Sequence, residues 1–456
     1  MGIFKSYDIR GIYPSELNEE TAYKIGRAFV VSQQAKEIFV GKDARISSPA
    51  IFSALSKGIT EQGAIVVDIG LCSTPMFYFA LGFLKVKHGI MVTASHNPKE
   101  YNGFKLCKNT TVPIGGNTGI KEIEQLVEKN VFPAAKQKGK IIKKEFVDDY
   151  IKSMAFYVNQ YIDSNRKLKI VVDAANGMGA YEFSLLFKKF EIEFIPLFCD
   201  VDFTFPNHEA DPLKPKNLVD LQKSVIKHKA DFGVALDGDA DRCFFVDEIG
   251  QIISGDLTTA LISRILLEKN TVKSSSSKNQ KQTILYDLRS SHIVKETIEQ
   301  QYGIPIMTPV GHANIKKIMR EHNAIFAGEL SGHFYYKDNY YAESSFITTA
   351  LIMQLLSSSQ NKLSEIAAPY RKYFHTGEIN FIVKDKDSII KKIKDNFSHD
   401  ETLSKTFELD GITMEFDNWW FNIRMSNTEP LLRLNLEATS RKLMEEKREI
   451  VVKMIG

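Results

Sequence analysis

Asp237, Asp239 and Asp241 stand at alternating positions in the run Asp237-Gly238-Asp239-Ala240-Asp241-Arg242. Three hard oxygen ligands in one tight turn can converge on a single divalent cation, and Gly238 and Ala240 leave room for a sharp backbone. A second segment, Thr93-Ala94-Ser95-His96-Asn97-Pro98, offers a hydroxyl at Ser95 just before a chain break enforced by Asn97-Pro98. A serine working with a magnesium-type site points to phosphoryl transfer through a phosphoserine. The metal would neutralise charge developing on the transferred group.

Two other chemistries use these residue types. The Asp-x-Asp-x-Asp spacing opens an EF-hand loop, and Glu248 falls at its twelfth position. That loop needs glycine where Arg242 stands, and helical flanks. Here Phe232 to Leu236 and Cys243 to Val246 are apolar and strand-like. Ser95-His96 suggests a serine hydrolase, but adjacent residues on a turn rarely face each other. No Gly-x-Ser-x-Gly elbow surrounds Ser95 either.

The elements that position these loops emerge from comparing apolar runs. Ile38 to Asp43, Ile170 to Asp173 and Thr283 to Asp287 are short strands ending at aspartate. A second strand follows each at Gly63 to Asp68, Ile192 to Leu197 and Ile304 to Met307. A third follows at Gly89 to Val92, Phe232 to Leu236 and Ala324 to Ala327. Strand, helix, strand, helix, strand, repeated three times, predicts three α/β domains with mixed or parallel sheets. Each third strand runs into a polar loop: Thr93 to Pro98, Asp237 to Arg242, and Gly328 to His333. Ligands sit beyond the carboxyl ends of strands in open α/β sheets, so three equivalent loops predict one cleft between three domains. From about Lys372 extended runs dominate, closed by a helix over 441–454, which predicts a smaller α+β domain. It carries the turn Arg424-Met425-Ser426-Asn427-Thr428-Glu429-Pro430, whose side-chain and backbone donors suit a phosphate. The domains are drawn at 1–146, 147–250, 251–368 and 369–456, with a hinge over 368–372.

A chain of 456 residues is too long for one hydrophobic core, and 43% hydrophobic with 25% charged residues is an ordinary soluble composition. A net charge of +3 is too small to imply a nucleic-acid or membrane partner. Cys72, Cys107, Cys199 and Cys243 are scattered, which fits a reducing cytoplasm and argues against a disulfide framework or a zinc site. No apolar run reaches membrane-spanning length. A cytoplasmic monomer or weak dimer is expected.

The four loops in this order resemble the α-D-phosphohexomutase superfamily, in its phosphomannomutase/phosphoglucomutase branch, over essentially the whole chain. The resemblance implies three similar three-layer α/β domains plus a smaller C-terminal α+β domain, heart-shaped around a central cleft. It implies Ser95 as the phosphoryl carrier, and Asp237, Asp239, Asp241 and the Ser95 phosphate as ligands to one Mg2+ per chain. Arg242 matches the arginine beside the metal, and Glu329 and Ser331 lie in the loop that reads sugar hydroxyls. Arg424, Ser426, Asn427 and Thr428 match the loop that grips the non-reacting phosphate. Tyr7 and Arg10 match an N-terminal Tyr-Asp-x-Arg-Gly element, Lys105 an active-site lysine, and His312 and His333 histidines closing over the substrate. Arg289 departs from the pattern, standing where some relatives carry lysine.

The implied activity interconverts the 6- and 1-phosphates of mannose or glucose, with a hexose 1,6-bisphosphate as intermediate and activator. Lys105, Arg10 and His333 are candidates for moving the proton. Phosphoglucosamine mutase is the alternative within the superfamily, disfavoured by Asn427 and Leu330. A non-catalytic sugar-phosphate-binding protein and a metal-dependent phosphatase are the alternatives from other classes. His96 is expected to support its loop, Asp43 and Arg45 the N-terminal element, and Tyr335 to pack. His208 and His322 are expected at the surface.

Overall fold

Short apolar runs ending in aspartate become the central strands of three sheets. The computed structural model describes residues 2–161, 166–273, 281–425 and 431–456. In the first sheet the strands Ile65–Leu71, Glu37–Lys42, His88–Val92 and Tyr101–Lys108 lie in that spatial order, the first three parallel and the last antiparallel. The second sheet repeats the order with Phe194–Leu197, Ile170–Asp173, Phe232–Leu236 and Cys243–Asp247. The third repeats it with Ile304–Thr308, Thr283–Asp287, Phe326–Gly328 and Phe334–Tyr336. The threefold pattern is therefore one of topology as well as sequence. Each polar loop joins a parallel strand to its antiparallel neighbour, so it is a hairpin turn at a sheet's carboxyl end.

The second sheet reaches beyond the boundary expected at residue 250. Ile252–Ile253 pairs antiparallel with Cys243–Asp247, because Gly250 (φ 82°) turns the chain back on itself. The fourth sheet is antiparallel in the order Phe374–His375, Leu431–Ala438, Trp419–Met425, Ile412–Phe416 and Leu403–Phe407, with Ile379–Ile382 also on Leu431–Ala438. The helix Arg441–Ile455 starts at Ser440, whose side chain accepts from Leu443 N.

One apolar core runs through the first three units. It includes Phe79 against Tyr150, and Phe183 against Phe346 with ring centres 5.6 Å apart. The C-terminal unit has its own core, centred on Phe397, Trp419 and Phe421, with Phe416 stacked on Trp419 at 4.2 Å. The first three units thus share buried surface, whereas the fourth meets them largely through polar contacts. Among these, His292 N donates to Glu437 Oε1 (3.1 Å) and Val310 N to Asp410 Oδ2 (3.4 Å). The expected hinge at 368–372 is instead tied down. Arg371 pairs with Asp247 (3.2 Å) and Lys372 with Glu296 (2.7 Å).

Candidate active site

The acidic turn folds tightly because Ala240 takes the left-handed conformation (φ 63°) and its carbonyl accepts from Ser345 Oγ (2.8 Å). Asp237, Asp239 and Asp241 are all buried, and one ligand oxygen from each lies within 4.8 Å of the others. Asp239 Oδ1 and Asp241 Oδ1 have no hydrogen-bond partner. Burial and the neighbouring charges of Asp241 and Asp239 push the Asp237 carboxyl well above its usual range. Asp241 is held well below it: burial opposes, but Lys105, His333 and Arg242 outweigh burial. Three buried carboxylates, two of them with an orphaned oxygen, call for a cation, and an all-oxygen donor set fits Mg2+.

Lys105 reaches this cluster from Tyr101–Lys108. Its Nζ donates to Asp239 Oδ2 (2.7 Å) and to Asp241 Oδ2. Burial works to strip its proton, yet the two carboxylates more than offset this and push its pKa up. Thr74 completes the frame across the first two units. Its N–H donates to Asp239 O (3.0 Å) and its Oγ1 to Asp239 Oδ2 (2.5 Å). The neighbouring Ser73 caps the helix Thr74–Phe83 and donates to the buried Glu182 (2.5 Å), which also accepts from Tyr150.

Ser95 faces the acidic turn. It is buried, sits at φ 51°, and its Oγ donates to Asp237 Oδ2 (3.1 Å). A Cβ on Gly238 would stand 2.5 Å from Ser95 O, so only glycine lets the two loops approach this closely. Arg45 staples the serine loop from below. It donates to the carbonyls of Ser95 and Asn97 (both 2.8 Å), Pro98 (2.8 Å) and Tyr101 (3.0 Å), with Asp43 3.3 Å from its Nε. Asp43 and Arg45 therefore serve the serine loop and not the N-terminal element expected. Arg10 does link that element to the loop, donating to Asn97 Oδ1 and to Ala94 O (3.4 Å), while Asp8 holds it at 2.7 Å. His96 Nδ1 lies 3.3 Å from Ser95 Oγ, and burial with Arg242 and Arg10 nearby keeps its pKa well below normal.

The third loop meets the second. Arg242 and His333 form an antiparallel bridge, and Arg242 Nε donates to His333 Nε2 (3.1 Å). His333 Nε2 also lies 3.3 Å from Asp241 Oδ1, and its Nδ1 3.1 Å from Ser331 Oγ. Glu329 accepts from Tyr335 OH and stands 3.6 Å from Arg289. Tyr335 thus orients a site carboxylate, where packing alone was expected. On the far side Tyr7 meets His312 edge-on (5.8 Å) and hydrogen-bonds Asn314 (3.3 Å). Burial lifts the Tyr7 pKa and lowers that of His312.

Arg424 lies at the fourth unit's edge of this arrangement. Its Nη2 donates to Glu378 (2.9 Å), which also pairs with Arg433 (3.2 Å) and with Arg289 (3.6 Å). Ser426, Asn427 and Thr428 lie outside the described residues. His322 is exposed as expected, whereas His208 is half-buried and pairs with Asp173 (3.2 Å). Thr74, Glu378, Arg433 and the role of Arg45 escape the sequence. Only Ser73-Thr74-Pro75 carries a signal, that of a helix start.

Four family models match in order along the chain. They describe domain I of phosphoglucomutase/phosphomannomutase over residues 1–134, domain II over 148–250, domain III over 254–373 and the C-terminal domain over 378–454. The chain belongs to the phosphoglucomutase/phosphomannomutase family. As a member it is an enzyme, an isomerase. It is 39% identical to a phosphomannomutase of Vibrio cholerae, covering 99% of this chain and 98% of that one. It is 40% identical to a phosphomannomutase of Methanocaldococcus jannaschii, covering 100% and 97%. A crystal structure of a phosphoglucomutase/phosphomannomutase family protein from Burkholderia thailandensis superposes with a TM-score of 0.87 at 30% identity, covering 99% and 96%. Among the described residues no helix is long and apolar enough to cross a membrane.

Proposed function

We propose that this family member is a magnesium-dependent phosphohexomutase. It would interconvert mannose 6-phosphate with mannose 1-phosphate, and glucose 6-phosphate with glucose 1-phosphate, through a phosphoserine and a hexose 1,6-bisphosphate. The observation that carries this reading is the 3.1 Å contact from Ser95 Oγ to Asp237, within a buried trio of carboxylates. Asp237, Asp239 and Asp241 would hold the cation, with the Ser95 phosphate as a further ligand. When bound, Mg2+ supplies neutralising charge to the phosphoryl oxygens.

The chain's own residues do the rest. In the first half-reaction a sugar hydroxyl oxygen bonds to phosphorus as the bond from phosphorus to Ser95 Oγ breaks. The sugar loses its proton to a nearby base, and Asp237 and Arg242 frame the departing Oγ. Lys105, held protonated by two aspartates, acts as a fixed positive charge, and the proton that leaves the sugar hydroxyl is the one returned to Ser95 Oγ. His333 accepts from Arg242 at Nε2 and reaches Ser331 through Nδ1, a path for a proton between the second and third loops. Arg10 orients the serine loop through Asn97. Glu329 and Ser331 take the sugar hydroxyls, with Tyr7, His312 and Arg289 lining the approach. Arg424, with Ser426, Asn427 and Thr428, holds the non-reacting phosphate. In the second half-reaction Ser95 recovers the other phosphate.

Four free cysteines, three of them buried, support a cytoplasmic setting. The test combines intact mass with phosphorus NMR. Incubation with glucose 1,6-bisphosphate should add one phosphoryl group to the protein, and mannose 6-phosphate should then yield mannose 1-phosphate. Release of inorganic phosphate without isomer would replace this reading with a phosphatase.

A further inference from the structure

Three guanidiniums from two units of the chain converge on one carboxylate. Glu378 Oε2 accepts from Arg424 (2.9 Å) and lies 3.6 Å from Arg289, while its Oε1 lies 3.2 Å from Arg433. Arg424 and Arg433 stand directly opposite each other on neighbouring strands, and Arg289 follows Thr283–Asp287 in the third unit. Like charges across a strand pair repel. Burial and the Arg289 charge both press the Arg424 pKa down, and Glu378 opposes them. Burial would lift the Glu378 carboxyl, but the three arginines outweigh it and hold it ionised. Arg289 is already paired with Asp287 (2.7 Å), so the uncompensated positive charge lies on Arg424 and Arg433, which share the single carboxylate of Glu378. Arg289 also stands 3.6 Å from Glu329, so the chain of charges runs from the sugar loop to the phosphate grip.

We propose that Glu378 is a positioning residue that weakens the phosphate grip enough for a mutase to let go. This rests on the function proposed above. The bisphosphate must leave Arg424 in mid-cycle so that its other end can take that place. A phosphate oxygen and the Glu378 carboxylate compete for the same guanidinium N–H groups. As the phosphate departs, Glu378 takes up the released donors, and the arginines are never left buried and unpaired. The residue follows Gly377, whose left-handed φ of 69° turns the chain just before the carboxylate.

Glu378→Gln keeps the shape and removes the charge. Inorganic sulfate titrated calorimetrically, at low salt, should bind E378Q about tenfold more tightly than the native protein, since one charge-assisted contact no longer competes. The gain should vanish in E378Q combined with Arg424→Ala. With hexose phosphates, KM and kcat should fall together and less bisphosphate should escape. A purely structural residue would instead raise KM. Sulfate binding unchanged or weaker in an E378Q protein with native thermal unfolding overturns the proposal. If E378Q does not fold, Glu378→Asp, whose shorter carboxylate retreats from the arginines, carries the same expectation, and weaker sulfate binding there overturns it equally. The sulfate arm needs no turnover, so it stands even if hexose phosphates prove not to be isomerised.

Discussion

At one side of the site three carboxylates cluster, two of them on one lysine; at the other, three guanidiniums gather around one carboxylate. The two clusters are opposite in sign and differ in how they are built. The acidic one comes from a single hairpin turn, braced by Thr74 and Lys105 from the first unit, and its aspartates are 0–2% exposed. The basic one is assembled from the third and fourth units, whose separation would pull Arg289 from Glu378. The first is fixed by contacts between the first two units. The second would loosen if one unit moved, as the proposed exchange of substrate ends needs.

The largest effect should come from breaking the fixed side at Ser95, the proposed phosphoryl carrier. Ser95→Ala is expected to lower turnover by at least about a thousandfold. Its affinity for hexose phosphate should stay near native, because the phosphate grip lies on the other side; wild-type turnover in this variant would remove the phosphoserine from the mechanism. Next comes the metal. Asp239→Asn should weaken Mg2+ binding by roughly tenfold to a hundredfold and lower kcat more than it alters KM. Mg2+ titration followed by protein fluorescence reads this directly, and turnover surviving exhaustive chelation would show that the trio holds no required ion.

On the adjustable side, Arg424→Ala should raise KM by about ten- to a hundredfold and change kcat less, since a charge-assisted contact is worth roughly 1.5–3 kcal/mol. More 1,6-bisphosphate should appear in solution during turnover, detectable by phosphorus NMR. Equal KM values would separate Arg424 from the phosphate grip.

The smallest change in turnover is expected at Glu182, buried between the two units that brace the acidic turn. Burial raises its carboxyl from 4.5 to about 7, with Ser73 and Tyr150 opposing. Between pH 4.5 and 7 the folded protein keeps a proton that the unfolded chain has released. Stability from this group is therefore present at low pH and lost as pH rises through about 7, by on the order of 2–3 kcal/mol. Glu182→Gln should flatten the pH dependence of thermal unfolding over that window and leave kcat nearly native. An unchanged pH profile would show that Glu182 is ionised throughout.

The contrast between the clusters also explains what could be read in advance. Asp237, Asp239 and Asp241 are neighbours in sequence, so their convergence needs no tertiary knowledge. Every strand of the threefold repeat is short, apolar and ends at a turn, and all nine form close to where they were placed. Lys105 and Arg242 followed from the family likeness, and the fold brings both to the metal cluster. Glu378 and Arg433 are 55 residues apart and carry no local signature; they meet through strand pairing alone. Thr74 opens the helix that Ser73 caps, and only the packing of one unit on another turns its hydroxyl toward Asp239. Arg45 was assigned to the wrong neighbour, since nothing in a basic residue after a strand says which carbonyls it will reach. The linker at 368–372 is legible as the approach to a domain of different type, but the pairing of Arg371 with Asp247 and of Lys372 with Glu296 is not.

The left-handed backbone at Ser95 has a consequence for which hydroxyl amino acid can occupy the position. Serine and threonine both carry an alcohol able to accept a phosphoryl group, and solution chemistry scarcely distinguishes them. A φ of 51° does. A second branch at Cβ crowds the carbonyl in that conformation, so threonine either strains the turn or relaxes it toward the extended region. Relaxation would swing the oxygen away from Asp237. The residue type is thus set by the shape of the main chain, and an alcohol of equal reactivity would be delivered to the wrong place.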